Sequence, residues 1–178
     1  MVERLTRSDW LRRGLRTLAT EGPGALKVGP MAEQLGVSRG SFYWHFRDIG
    51  DFRAQLLQAW QGRSTDRIIQ DLDARPGDPD RLRQLMAQAF RGRRRLDRAM
   101  RAWAAHDVTV AAAVASVDAR RTGRIARLLV EAGVEPARAD HRAAFLYWAY
   151  LGQSAVMDPA HAALPADALA DMARLFET

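Results

Sequence analysis

No part of this chain reads as a β-strand. Val, Ile, Thr and Tyr never alternate with polar residues over a strand length. A hairpin signal of the Asn-Gly type is absent too, because the chain contains no asparagine. Apolar residues instead recur at helical spacing, and proline and glycine fall between the periodic segments. The chain is therefore expected to be all-α. Helices are predicted over about 8–20, 29–35, from Ser38 onward and from Asp48 onward, then at 64–74, 80–91, 96–106, 108–132, 136–157 and 165–177. Ser8, Ser38 and Asp48 are the expected N-caps of the first, third and fourth of these.

With 178 residues the chain can bury a core without covalent staples. It has no cysteine, which leaves no disulfide, no thiolate nucleophile and no Cys-ligated metal. The charged amino terminus lacks the apolar run of a secretory signal. The longest apolar run, Ala143 to Gly152, is far too short to span a membrane. A cytoplasmic protein with no membrane contact is expected. The net charge of +6 favours a polyanionic partner only weakly. Lys27 is the only lysine, so arginine dominates the basic residues; arginine forms bidentate contacts to phosphate and guanine better than lysine does.

Chemistry-bearing motifs are scarce. The four histidines, at 45, 106, 141 and 161, form no Glu-x-x-His or His-Glu-x-x-His pattern. There is no phosphate-binding glycine loop and no dinucleotide fingerprint. No catalytic residue, metal or cofactor is expected.

The stretch Gly36-Val-Ser-Arg-Gly-Ser-Phe-Tyr-Trp-His-Phe46 stands apart. Two short helices joined by Gly36-Val37-Ser38 make a helix-turn-helix, with Ala32 at their closest approach. At about 100° per residue, Phe42 and Phe46 fall only about 40° apart on the third helix. They are expected to face a small core. Gly40 and Trp44 fall opposite, with Ser41 and Tyr43 on the flanks and His45 at the edge. Gly40 removes a side chain from that outward face, so a backbone could come close. Such a helix would lie in a DNA major groove.

Residues 8–60 resemble the DNA-binding domain of the tetracycline-repressor (TetR) family of transcriptional regulators. The resemblance rests on an amphipathic first helix, then Met31-Ala32, Gly36-Val37-Ser38 and Gly40-Ser41-Phe42-Tyr43-Trp44-His45-Phe46. It implies an amino-terminal three-helix reading domain, residues 1–47, and a helical effector-binding and dimerisation domain, residues 48–178. It implies a homodimer on a double-stranded DNA operator, and repression relieved by a small-molecule effector. Arg39, Gly40, Ser41 and Trp44 would face bases or groove; Tyr43 and His45 would grip phosphates. Ser38 opens the same helix. Two positions depart from the family pattern. Lys27 and Val28 stand where the family often has threonine, and Lys27 could serve as a phosphate contact. Ile49 stands where the family usually has lysine, and Arg47 is the candidate to compensate.

In the remainder, the segment from Ala143 to Gly152 is apolar nearly all round and needs burial on every side. One stripe carries Phe145, Trp148, Ala149, Gly152 and Val156; another carries Leu146, Tyr147, Tyr150, Leu151 and Ser154. One is expected to face the subunit core and the other a second copy. The first stripe, with Leu128, is the candidate dimer face. Candidates for an effector cavity are Trp60, Met86, Phe90, Met100, Trp103, His106 and Tyr147, since methionine and aromatic side chains make adaptable walls. His106 and Tyr147 add polar tips. A rival reading keeps the fold but lets Tyr43 and Trp44 bind a protein; salt dependence separates the two, because phosphate contacts release counterions.

Overall fold

The computed structural model describes residues 5–91, 95–156 and 164–177. The described residues form ten α-helices: α1 Arg7–Glu21, α2 Val28–Gln34, α3 Arg39–Tyr43, α4 Ile49–Gln61, α5 Arg67–Asp73, α6 Arg81–Arg91, α7 Arg95–Ala104, α8 Val108–Glu131, α9 Pro136–Val156 and α10 Ala166–Glu177. A 3-10 turn, Pro23–Ala25, precedes α2, and a π-helical turn, Gly62–Asp66, separates α4 from α5. The contacts divide the chain into two compact units: one within Met1–Ser64 and Arg95–Val114, the other within Thr65–Arg94 and Ala115–Thr178.

The first unit is built on rings. Trp10, Phe42 and Phe52 are fully buried, and Phe46 nearly so. The Phe42 ring centroid lies 5.3 Å from Trp10, 5.0 Å from Phe46 and 5.5 Å from Phe52. These are offset and edge-on separations that aromatic quadrupoles favour. Helix α1 crosses α4 closely because Gly14 carries no side chain: a Cβ there would sit 2.5 Å from Phe52 Cζ and 2.9 Å from Leu56 Cδ1. Helix α7 packs on α1 in the same unit.

Helix α1 begins earlier than Ser8 suggests. Its cap is Thr6, not Ser8, because Thr6 and Asp9 form a reciprocal capping box. The Thr6 backbone N–H donates to Asp9 Oδ2 at 2.7 Å, and the Asp9 N–H donates to Thr6 Oγ1 at 3.3 Å. The Thr6 hydroxyl and backbone, then Arg12, hold the Asp9 carboxyl down at about 2 against an ordinary 3.8. A depressed folded-state value stabilises above the unfolded value and is lost as pH falls through the folded one. Fraying of α1 is therefore expected between about pH 4 and pH 2 in wild type. Hydrogen exchange at the first turn, compared between wild type and Asp9→Asn, checks this: the variant should fray already at neutral pH and lose the acid transition.

The second unit has its own core. Leu82 and Met86 of α6, Ala126 and Leu129 of α8, Ala139, Ala143 and Leu146 of α9, and Leu169 and Ala173 of α10 are buried together with Val134. Arg124 is buried within it, its guanidinium 2.6 Å from Asp73 and 3.3 Å from Glu131; Arg81 reaches the same Glu131 at 2.8 Å. These pairs tie α5, α6 and α8.

Candidate functional site

The helix-turn-helix is assembled by backbone first. Helix α2 ends at Gln34 with Leu35 as its cap, and Gly36 follows at φ +68°, a left-handed conformation that glycine adopts without strain. The Gly36 N–H donates to the Glu33 carbonyl at 3.0 Å, and the Val37 N–H donates to the Ala32 carbonyl at 3.0 Å. That pair of bonds is a Schellman stop, which turns the chain sharply into α3. Ala32 is buried where the two short helices meet.

Helix α3 is shorter than the wheel assumed. It closes at Tyr43, and 44–45 form a turn. The Phe46 N–H still donates to the Phe42 carbonyl at 3.0 Å, so both rings reach the core. Tyr43 is 59% exposed and Trp44 78% exposed. Two rings hold the unit together and two project from it. Arg39, Gly40 and Ser38 are exposed and Ser41 is half-buried. On the flanks, Lys27 and Arg47 are exposed while Val28 is half-buried. A Cβ on Gly40 would meet only Ser38 Oγ, at 3.5 Å, so nothing among the described residues requires glycine there.

His45 is half-buried, and its Nε2 lies 3.0 Å from the Leu5 carbonyl. A phosphate contact through that nitrogen would have to replace this bond. Arg7 completes a clasp that the sequence reading missed: its guanidinium donates to the His45 carbonyl at 3.0 Å and lies 5.8 Å from the Phe46 ring centroid. Leu5 and Arg7 are thus pinned to the turn that follows α3. Ile49 is the first residue of α4 and half-buried. Asp48 caps that helix by accepting from the Asp51 N–H at 2.8 Å. The Gln55 amide, then the Arg47 backbone N–H, hold the Asp51 carboxyl below its usual range. The Arg47 guanidinium approaches Asp51 only loosely, at 4.0 Å, and stays 86% exposed.

The seven effector candidates divide between the units. Trp60, Met100 and Trp103 are buried in the first, where the Trp60 indole N–H donates to Asp97 Oδ1 at 3.1 Å. His106 is exposed. In the second unit Met86 belongs to the core and Phe90 packs against it. Tyr147 there heads a polar network. Its hydroxyl donates to Asp118 Oδ1 at 2.6 Å, and burial, then Asp118, pushes the phenol up to about 12. Its ring stacks on Tyr150 at 5.6 Å. The Arg121 guanidinium lies 5.9 Å from the Tyr150 ring centroid, and its Nε donates to the buried Thr65 Oγ1 at 3.2 Å. Asp118 and Arg121 were legible only as a polar pair one turn apart on an Ala- and Val-rich helix.

On α9 the inward stripe is Ala139, Ala143, Leu146 and Tyr147; Phe145, Trp148 and Ala149 face outward, and Gly152 is half-buried. The Val156 side chain lies outside the described part. Leu128, grouped with that outward face in the sequence reading, is buried in its own unit at 3% exposure, so it cannot present surface to a partner. A groove of about 360 Å³ runs between α8 and α9, lined by Gly123, Ala126, Arg127, Val130, Glu131, Pro136 and Asp140. None of the effector candidates lines it.

Helices α2 and α3, joined by the turn at Gly36 and packed with α1, form a helix-turn-helix. Residues 11–56 match the family model of bacterial regulatory proteins, tetR family. Those residues run from within α1 to within α4. A relative, the HTH-type transcriptional regulator AcrR of Shigella flexneri, is 30% identical over 74 residues, covering 42% of this chain and 34% of the relative. The match thus spans about a third of that relative's length. Among solved structures, a Rhodococcus sp. protein assigned to the TetR family is 20% identical with a TM-score of 0.67, each chain covered in full. A TetR/AcrR-family regulator from Thermobifida fusca is 18% identical with a TM-score of 0.64, over 97% of this chain and 96% of that one. These likenesses extend the shared fold beyond residue 56.

Proposed function

We propose that this protein is a homodimeric regulator that binds a double-stranded DNA operator and is released from it by a small-molecule effector. The observation that carries the reading is the division of labour in the head. Phe42 and Phe46 hold the unit together, while Arg39, Gly40, Tyr43 and Trp44 are exposed and Ser41 is half-buried; Lys27 and Arg47, to either side in the sequence, are exposed as well. Residues 1–47 would read DNA, and 48–178 would bind the effector and dimerise. The test is affinity for operator fragments as a function of salt. Binding through several phosphates falls steeply as salt rises; affinity that salt leaves unchanged would favour a protein partner on Tyr43 and Trp44.

The outward face of α9 is the proposed dimer seam. Phe145 is 59% exposed and Trp148 67% exposed, a pairing of large rings that a soluble subunit gains by covering. A two-fold pair would present two reading heads to half-sites about 34–36 Å apart. Trp148→Glu is expected to raise the dimer dissociation constant about a hundredfold, since buried aromatic anchors dominate such interfaces. Sedimentation checks this, with circular dichroism to show that the helices persist.

For the effector, the second unit supplies the better-equipped set of side chains. Met86 and Phe90 are apolar, and Tyr147 with Asp118 and Arg121 supplies a polar edge. An apolar or aromatic molecule with one polar group suits that set. No described helix is long and apolar enough to cross a membrane, and action in the cytoplasm follows from the proposed DNA partner.

A further inference from the structure

At one place α2 and α3 touch through an arginine. A Cβ built on Gly29 would lie 3.0 Å from Nη2, 3.2 Å from Nε and 3.3 Å from Cζ of Arg39. The guanidinium therefore rests against the second residue of α2, in space that any side chain there would claim. Arg39 is otherwise exposed. Among the described residues it forms no hydrogen bond or ion pair. The contact is packing alone. It restrains a long, flexible side chain without using any of its five N–H donors. An unseated arginine gives up rotamer freedom when it binds; a seated one has already done so. The next residue is Gly40, whose bare backbone leaves the approach beside the guanidinium open.

We propose that Gly29 is a seat for Arg39, and through it a determinant of which base pair the head prefers. This rests on the DNA-binding reading above. The partner chemistry is that of a G·C pair in the major groove, where arginine donates to guanine O6 and N7 together. Each half-site would carry one position at which Arg39 sets that preference.

A double-mutant cycle on the full chain tests it, with sites selected from random duplex DNA by the wild type. Gly29→Ala is a gentle change, since the atoms it meets belong to the far end of a flexible side chain; melting should be unchanged or slightly raised. It is expected to weaken the selected site about fivefold and flatten one position per half-site. Arg39→Ala should flatten the same position and weaken binding about tenfold or more. In the Arg39→Ala background, Gly29→Ala should have no further effect. Equal effects of Gly29→Ala in both backgrounds, or an unaltered preference, would overturn the seat while leaving DNA binding intact. A wild type that selects no site at all would instead overturn the reading on which the seat rests.

Discussion

Replacing Tyr43 and Trp44 together by alanine is expected to weaken operator binding about a hundredfold and leave folding nearly untouched. Each contact to the nucleic acid is worth about 1–3 kcal/mol, and two such losses reach that factor. The stability side follows from exposure: the two rings project from the unit at 59% and 78% exposed. Tyr43 meets the core only edge-on, 5.3 Å from the Phe42 centroid. Surface substitutions of this kind shift stability by about 0.5 kcal/mol. Fluorescence anisotropy on a selected duplex, paired with thermal melting, separates the two quantities. A variant that binds as well as wild type would show that these rings do not touch DNA.

The neighbouring ring has the opposite signature. Phe42→Ala is expected to destabilise the first unit by about 3–5 kcal/mol. Phe42 touches Trp10, Phe46 and Phe52 at once, so the cavity would open at the centre of the cluster and not at its edge. A loss of that size is a large share of what holds a small domain folded. DNA binding should vanish with the fold. Hydrogen exchange distinguishes the cause: amides of α1 and α4 should lose protection, while those of α6 and α10, in a core of their own, serve as the reference. Unchanged protection in α1 and α4 would mean that the ring cluster is not what holds this unit.

What the sequence made legible is what local physics determines. Helical periodicity placed the ten helices to within a few residues. Gly36 read as a helix stop because a left-handed residue there lets its own N–H and that of Val37 close the end of α2. The separation of Phe42 from Trp44 followed from angular spacing alone. Ser8 was mistaken for the cap of α1 because the apolar stripe starts at Trp10; the reciprocal Thr6–Asp9 box lies outside that stripe and had to be read from both partners together. The π-helical turn at Gly62–Asp66 has no local signature. There the chain departs from α geometry, Thr65 bonds Arg121, and Asp66 pairs with Arg120, residues more than fifty positions away. Long-range pairing of this sort is invisible to periodicity. So was the Arg7 clasp on His45, which spans 38 residues. Burial overturned the reading on Leu128, since a helical wheel gives a face and not what covers it. The polar tip on Tyr147 marked it as a candidate effector contact; its bond to Asp118 came to light only when α8 and α9 were seen side by side.

The most direct test of the central proposal is selection of genomic DNA fragments on the purified 178-residue chain, at low and at high salt. The account predicts enrichment of a palindromic site whose half-sites lie about one helical turn apart, about 34–36 Å, bound more weakly as salt rises. Enrichment of no sequence at either salt concentration would contradict it.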